Sequence, residues 1–276
     1  MGRKEGREVV IEMKIGFIGL GNMAKAMIGG MLQKEIVSAD DIVGSAKSAK
    51  TLGAVQELYG IETLHDNRKV AQKADILVLA VKPQFFQEVI EEIRDVVSED
   101  TLVISIAAGK TIAWIEQAFQ KKIKLVRCMP NTPAMVREGC TGVCVNDHVS
   151  QEETEVSLKL MGSFGRSSLV PESMIDAVGA VSGSSPAYVF MFIEAMADAA
   201  VAAGMPRTLA YEFAAQAVYG SAKLLLESGK HPGELKDMVC SPGGTTIQGV
   251  RILEERGMRG AVMDALAATV EQSRKL

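Results

Sequence analysis

Over the first 145 positions, apolar residues fall into short unbroken runs separated by longer stretches with helical spacing. The runs predict strands at 14–19, 41–45, 74–80, 101–106, 123–128 and 141–145. The intervening periodicity predicts helices at 24–33, 49–58, 85–96 and 112–119. Ile76-Leu77-Val78-Leu79-Ala80-Val81 is apolar throughout, as expected of a strand buried on both faces. Strand and helix alternating at this rhythm imply a doubly wound parallel sheet covered by helices on both sides.

Beyond about Pro171 the pattern changes. Alanine- and methionine-rich helical periodicity covers 186–203, 207–227, 233–239, 246–256 and 258–274, with no strand signal. Breaks fall at Gly183, Gly204-Met205-Pro206, Gly229, His231-Pro232-Gly233, Ser241-Pro242-Gly243-Gly244 and Gly257. The expected organisation is a short extension at 1–12, a Rossmann-type α/β domain at 13–171 and an all-helical C-terminal domain at 172–276. The long helices carry few charges, for example over 187–203. Helices apolar nearly all round must be buried, which about 100 residues alone achieve poorly. A second copy of the chain is the expected cover, making the protein a homo-oligomer.

Composition narrows the function classes. Of 276 residues, 47% are hydrophobic and 23% charged, so a large core is available. A net charge of −4 without a basic block argues against nucleic acid as main partner. No apolar stretch is read as reaching the length of a membrane span, so no membrane partner is expected. The N-terminal MGRKEGREVVIEMK lacks the apolar core of a secretory signal, and a cytoplasmic location is expected. Cys128, Cys140, Cys144 and Cys240 form no C-x-x-C pair, and His65, His148 and His231 lack metal-ligand spacing. Reduced packing cysteines and no metal are the expectation.

The strongest chemical signal is residues 14–24, KIGFIGLGNMA. An apolar run meets Gly19-Leu20-Gly21-Asn22-Met23-Ala24 and passes straight into helical spacing. Gly19 permits the tight turn, Gly21 lets the backbone approach a pyrophosphate, and Ala24 takes the third small position. The helix start adds free N–H groups and a positive dipole end. The second strand ends at Ser45, followed by Ala46-Lys47-Ser48, where NAD-binding chains place an acidic residue for the ribose. Ser45 can donate a hydrogen bond, and Lys47 and Ser48 suit a 2′-phosphate. NADPH is therefore the expected cofactor, with NADH usable.

The C-terminal half carries a second signal, SPGGTT at 241–246. Pro242 fixes one φ, the glycines free the next positions, and a helix starts at once. Successive N–H groups at such a start make a carboxylate receptor.

Several further stretches, LAVKP at 79–83, ISIAAGKT at 104–111, RCMPNTPA at 127–134, SGSSPAY at 182–188 and HPGELKD at 231–237, complete an ordered set with the glycine turn and SPGGTT. Together they resemble the pyrroline-5-carboxylate reductases, from about Met13 to Arg274. The resemblance implies NAD(P)H-dependent reduction of L-1-pyrroline-5-carboxylate to L-proline, the last step of proline biosynthesis. It also implies a dimer as the unit, in some members built into decamers, with the active site between the nucleotide domain of one subunit and helices of its partner. Carried over residue by residue, it assigns Gly19, Leu20, Gly21, Asn22 and Met23 to the pyrophosphate. Ser45 and Lys47 fall to the adenosine phosphate and Asn67 to the adenine ribose. Ala80, Val81, Lys82, Pro83, Ala107, Ala108 and Gly109 fall to the nicotinamide side. Thr246 would reach the substrate ring nitrogen, Ser241, Gly244 and Thr245 would hold its carboxylate, and Glu172 would line the substrate site. Met238 stands where the family has an asparagine.

Two other readings remain at this stage. A β-hydroxyacid dehydrogenase shares the architecture but carries a catalytic lysine on a long helix of its second domain; 186–203 has none, and Lys223 stands alone on the next. A dinucleotide-sensing protein without chemistry would not need SPGGTT.

Overall fold

A computed structural model of the chain describes residue 11 and residues 13–275. Of the expected extension at 1–12, Ile11 is the described residue. It is buried, and its N–H donates to the Ile36 carbonyl at 2.9 Å. The chain divides into two compact units, residues 1–183 with 270–276, and residues 184–269.

The first unit runs β1 (Ile15–Ile18), α1 (Asn22–Gln33), β2 (Ile42–Ser45), α2 (Ala49–Tyr59), β3 (Glu62–Leu64), α3 (Asn67–Lys73), β4 (Ile76–Leu79), α4 (Phe86–Ile93), β5 (Leu102–Ser105), α5 (Ile112–Phe119), β6 (Lys124–Met129), β7 (Gly139–Val145), α6 (Gln151–Met161), β8 (Gly165–Leu169) and α7 (Ile175–Val178). The eight strands form one sheet in the order β3-β2-β1-β4-β5-β6-β7-β8. Side chains alternate across it. Ile15, Phe17, Ile76, Val78, Leu102 and Ile104 join one core with Met27 and Ile28 of α1. Ile18, Leu77, Leu79 and Val103 join another with Phe86, Val89 and Ile90 of α4.

The sheet departs from the expected all-parallel form at one pair: β7 runs antiparallel to β6. Only residues 130–138 join them, too few for the crossover that a parallel pair requires. Two strands and three helices of the unit, the last of them the four-residue α7, are not legible as periodicity. β3 is three residues long at the sheet edge, and β8 (GRSSL) has one apolar residue at the other edge. α3 and α6 are polar. α6 nevertheless begins with a reciprocal cap, in which Ser150 Oγ accepts from Glu153 N and Glu153 Oε2 accepts from Ser150 N.

The second unit contains α8 (Ser185–Ala202), α9 (Arg207–Ser228), α10 (Pro232–Val239), α11 (Thr245–Glu255) and most of α12 (Met258–Ser273), all helical as expected. Among its described residues only Ala197, Ala210 and Ala214 are buried. Phe190, Met191, Phe213, Leu226 and Met263 remain 64%, 68%, 60%, 59% and 69% exposed.

One expectation is corrected here. By length and composition, the helical run Glu172–Ala202 is able to cross a membrane, with a mean hydropathy of 1.2. The sequence reading broke this run at Gly183, whereas residues 179–184 form a π-helical stretch that continues it without interruption. Length and apolarity alone do not make a spanning helix. An unpartnered association helix has the same composition.

Candidate active site

β1 is flanked by β2 on one side and β4 on the other, so the strand order reverses beside it. Crevices outside the carboxyl ends of parallel strands at such a reversal are where open α/β sheets bind ligands. The β1–α1 turn closes the crevice floor. Gly19 N donates to the Ser45 carbonyl at 3.0 Å, and Ala80 N donates to the Ile18 carbonyl at 2.8 Å. Gly19 has φ +96°, and a Cβ there would meet Ala80 O at 2.8 Å, so both conformation and space require glycine.

Gly21 is glycine for a different reason. Its φ of −75° suits any residue, and a Cβ there would meet no protein atom within 4 Å. Nothing in the fold demands glycine at this position, and the open space lies over the start of α1. α1 has no side-chain cap and no acidic residue in its first turn, which starts with Asn22 and Met23. A diphosphate fits this cradle: open backbone, free N–H groups and a positive helix end.

A cavity of about 350 Å³ extends from the turn along the strand ends, lined by Gly19, Leu20, Gly21, Ser45, Lys47, Asn67, Ala80, Val81 and Lys82 of the predicted set. Ala46, Ser48, Thr51, Phe85 and Val89 complete the wall. Phe85 is the most informative residue that motif reading missed. It lies two residues after LAVKP and is 39% exposed, with Lys47 Nζ 5.0 Å above its ring. Pro83 opens a short 3-10 turn after β4, and Ala107, Ala108 and Gly109 follow β5; none of the four lines this cavity.

Ser45 is fully buried. Its Oγ donates to Asn67 Oδ1 at 2.7 Å, and Asn67 Nδ2 donates to Glu92 Oε2 at 2.7 Å. Lys47 Nζ pairs with Glu88 Oε1 at 3.3 Å.

Glu172 lies at a different cavity of about 360 Å³, with Gly109, Thr111, Arg127 and Asp176. Its Oε1 accepts from Ile112 N and from Arg127 Nη1, each at 2.7 Å. Arg127 is 95% buried, and its Nε has no hydrogen-bond partner among the described residues. The same surroundings act on Cys144, whose thiol is raised to about 11 by burial and by Glu172, with Arg127 opposing. Asn131 of RCMPNTPA has a structural task. Its Oδ1 accepts from Cys140 N at 2.8 Å, and its Nδ2 donates to the Ser182 carbonyl at 2.9 Å.

In the second unit, Ser241–Gly244 form a turn closed by Gly244 N donating to Ser241 O at 3.0 Å, with Gly243 at φ +70°. A Cβ on Gly244 would lie 2.4 Å from Ser241 Oγ. Thr245 and Thr246 are the first residues of α11. They are exposed, with no side-chain cap over their N–H groups and no acidic residue in the first turn. That is the electrostatics of a carboxylate receptor. A larger cavity of about 510 Å³, lined by Lys236, Val250, Leu253, Met258, Val262 and Met263, holds none of the predicted site residues.

Two family models match the chain, one in each half. Residues 172–276 match the family described as pyrroline-5-carboxylate reductase dimerisation, and residues 14–109 match the one described as NADP oxidoreductase, coenzyme F420-dependent. The chain is 51% identical over 266 residues to the pyrroline-5-carboxylate reductase of Escherichia coli, covering 96% of this chain and 99% of that one. The structure of a pyrroline-5-carboxylate reductase from Coxiella burnetii superposes with a TM-score of 0.91 at 37% identity, covering 96% and 98%. The Plasmodium falciparum pyrroline carboxylate reductase with NADP bound superposes with a TM-score of 0.85 at 32% identity, covering 96% and 98%.

Proposed function

The chain belongs to the pyrroline-5-carboxylate reductase family, and from that premise we propose how its residues divide the work of reducing L-1-pyrroline-5-carboxylate to L-proline. It is an NAD(P)H-dependent oxidoreductase of proline biosynthesis. The observation that carries this reading is identity at 51% over almost the whole of both chains.

Imine reduction needs a hydride at the imine carbon and a proton on the ring nitrogen. The nicotinamide cofactor supplies the hydride when bound; the protein supplies position and electrostatics. Gly19, Leu20, Gly21, Asn22 and Met23 hold the pyrophosphate. Ser45, Lys47 and Asn67 face the adenosine end, where Lys47 favours NADPH over NADH. Ala80, Val81, Lys82 and Pro83, with Ala107, Ala108 and Gly109, form the nicotinamide side.

In the second unit Ser241, Gly244 and Thr245 hold the substrate carboxylate, supported by the uncapped start of α11. Thr246 donates its hydroxyl to the ring nitrogen and settles the proton there. Glu172 belongs to the substrate end. Its contacts to Arg127 and Ile112 N suit a residue that shapes that end through its neighbours. The helical unit joins copies of the chain, with a dimer as the unit and a decamer as the larger assembly, in the cytoplasm.

Steady-state assays with pyrroline-5-carboxylate and each of NADPH and NADH test the reading, with 3-hydroxy acids as the contrasting substrates. Proline formation with a higher kcat/KM for NADPH is expected. NADPH binding without turnover of the imine would leave a sensor instead.

A further inference from the structure

Two carboxylates of the chain itself hold residues that line the adenosine end of the cleft. Glu88 and Glu92 stand four apart on α4, on the face opposite to the buried Phe86, Val89, Ile90 and Ile93. Each holds a donor of the cleft wall: Glu88 Oε1 takes Lys47 Nζ at 3.3 Å, and Glu92 Oε2 takes Asn67 Nδ2 at 2.7 Å. Asn67 in turn orients its Oδ1 to accept from Ser45 Oγ at 2.7 Å. Three side chains at this end of the cleft, Ser45, Lys47 and Asn67, are thus engaged, two of them directly by anionic groups.

We propose that Glu88 and Glu92 are specificity-determining residues that limit this enzyme's preference for NADPH over NADH. A 2′-phosphate must compete with Glu88 for Lys47 and approach two like charges, whereas a 2′-hydroxyl meets neither obstacle. Glu92 also fixes the Asn67 amide with its oxygen toward Ser45, so its polarity is set before any cofactor enters. The pairs are exposed, so the competition is modest and screened by salt. The proposal rests on the cleft being the dinucleotide site, and its test separates the two.

Dissociation constants of NADPH and NADH are measured by fluorescence titration on the intact enzyme at low and high salt, for the wild type and for Glu88→Gln, Glu92→Gln, the double variant, Lys47→Ala and Gly21→Val. Removing one carboxylate charge is expected to tighten NADPH about threefold and removing both about tenfold, the size exposed charge pairs reach, with NADH unchanged within twofold. The gain should shrink at high salt, which a merely structural effect would not do. Unchanged or weaker NADPH binding in the double variant, with Lys47→Ala still weakening it, overturns the proposal and leaves the cleft assignment standing. Full binding of both cofactors by Gly21→Val, whose Cβ has open space, removes the cleft assignment and the proposal with it.

Discussion

Thr246 carries the proposed proton chemistry on a single hydroxyl at an exposed helix start. Thr246→Ala should lower kcat and kcat/KM together by on the order of 10², because a contact made only in the transition state affects both. Thr246→Ser should keep most of the activity, and NADPH affinity should not move in either. Kinetics, cofactor titration and melting curves on the two variants check this, and a wild-type kcat in Thr246→Ala reduces the residue to a helix-start position. Ser45 behaves differently from what cofactor reasoning alone suggests. An acidic residue there would be the obvious way to switch toward NADH, yet the side chain is fully buried and bonded to Asn67. Ser45→Asp should therefore cost on the order of 3 kcal/mol of stability as an uncompensated buried charge, seen as a lowered Tm before any cofactor effect can be read.

At the scale of elements, the sheet edge at β7 and β8 depends on one residue without a side chain. Gly165 has φ +155°, and a Cβ there would lie 2.0 Å from Gly139 O, inside the backbone of the neighbouring strand. Gly165→Ala should cost about 3 kcal/mol or more, since the overlap is with backbone that cannot rotate away. Denaturant unfolding of this variant beside Gly21→Ala, which meets nothing, gives the comparison. α6 carries a pH-dependent contribution. Burial by itself raises the Glu153 carboxyl, but hydrogen bonds from Lys124 and from the Ser150 backbone outweigh it, and the net shift is downward from the ordinary 4.5. A carboxylate depressed in the folded state stabilises above the unfolded value and loses that contribution as pH falls through the folded one. Between pH 7 and pH 3 the wild type should lose more Tm than Glu153→Gln, and equal slopes would show that the cap and ion pair add nothing.

For the whole molecule, the informative quantity is what stays uncovered. A unit of 86 residues that buries only three alanines among its described residues, while leaving phenylalanines and methionines more than half exposed, has no core of its own. Its match to a dimerisation family supports a homo-oligomer formed through this surface. The enzyme should be an obligate homo-oligomer whose Tm rises with protein concentration, because association and folding are linked. Light scattering and melts over a hundredfold dilution test it, and a stable, active monomer at sub-micromolar concentration would overturn both the oligomer and the helical unit's role.

The chain's local chemistry announced the glycine turn after β1, the turn at Ser241–Gly244, the central strands and the five helices of the second unit, because each follows from residue type and spacing within a short stretch. Gly19 and the Ser241–Gly244 turn take backbone geometry that glycine and proline favour wherever they stand. What the sequence could not settle depends on neighbours far along the chain. β3 and β8 are strands because an adjacent strand offers its free edge, not through apolar pattern, and β7 turns antiparallel because its connection is too short to cross over. The π-helical passage at 179–184 keeps helical a stretch whose glycines read as a break. Glu88 and Glu92 look like solvated positions of an amphipathic helix. Only tertiary packing, which sets α4 against α3, brings them to Lys47 and Asn67.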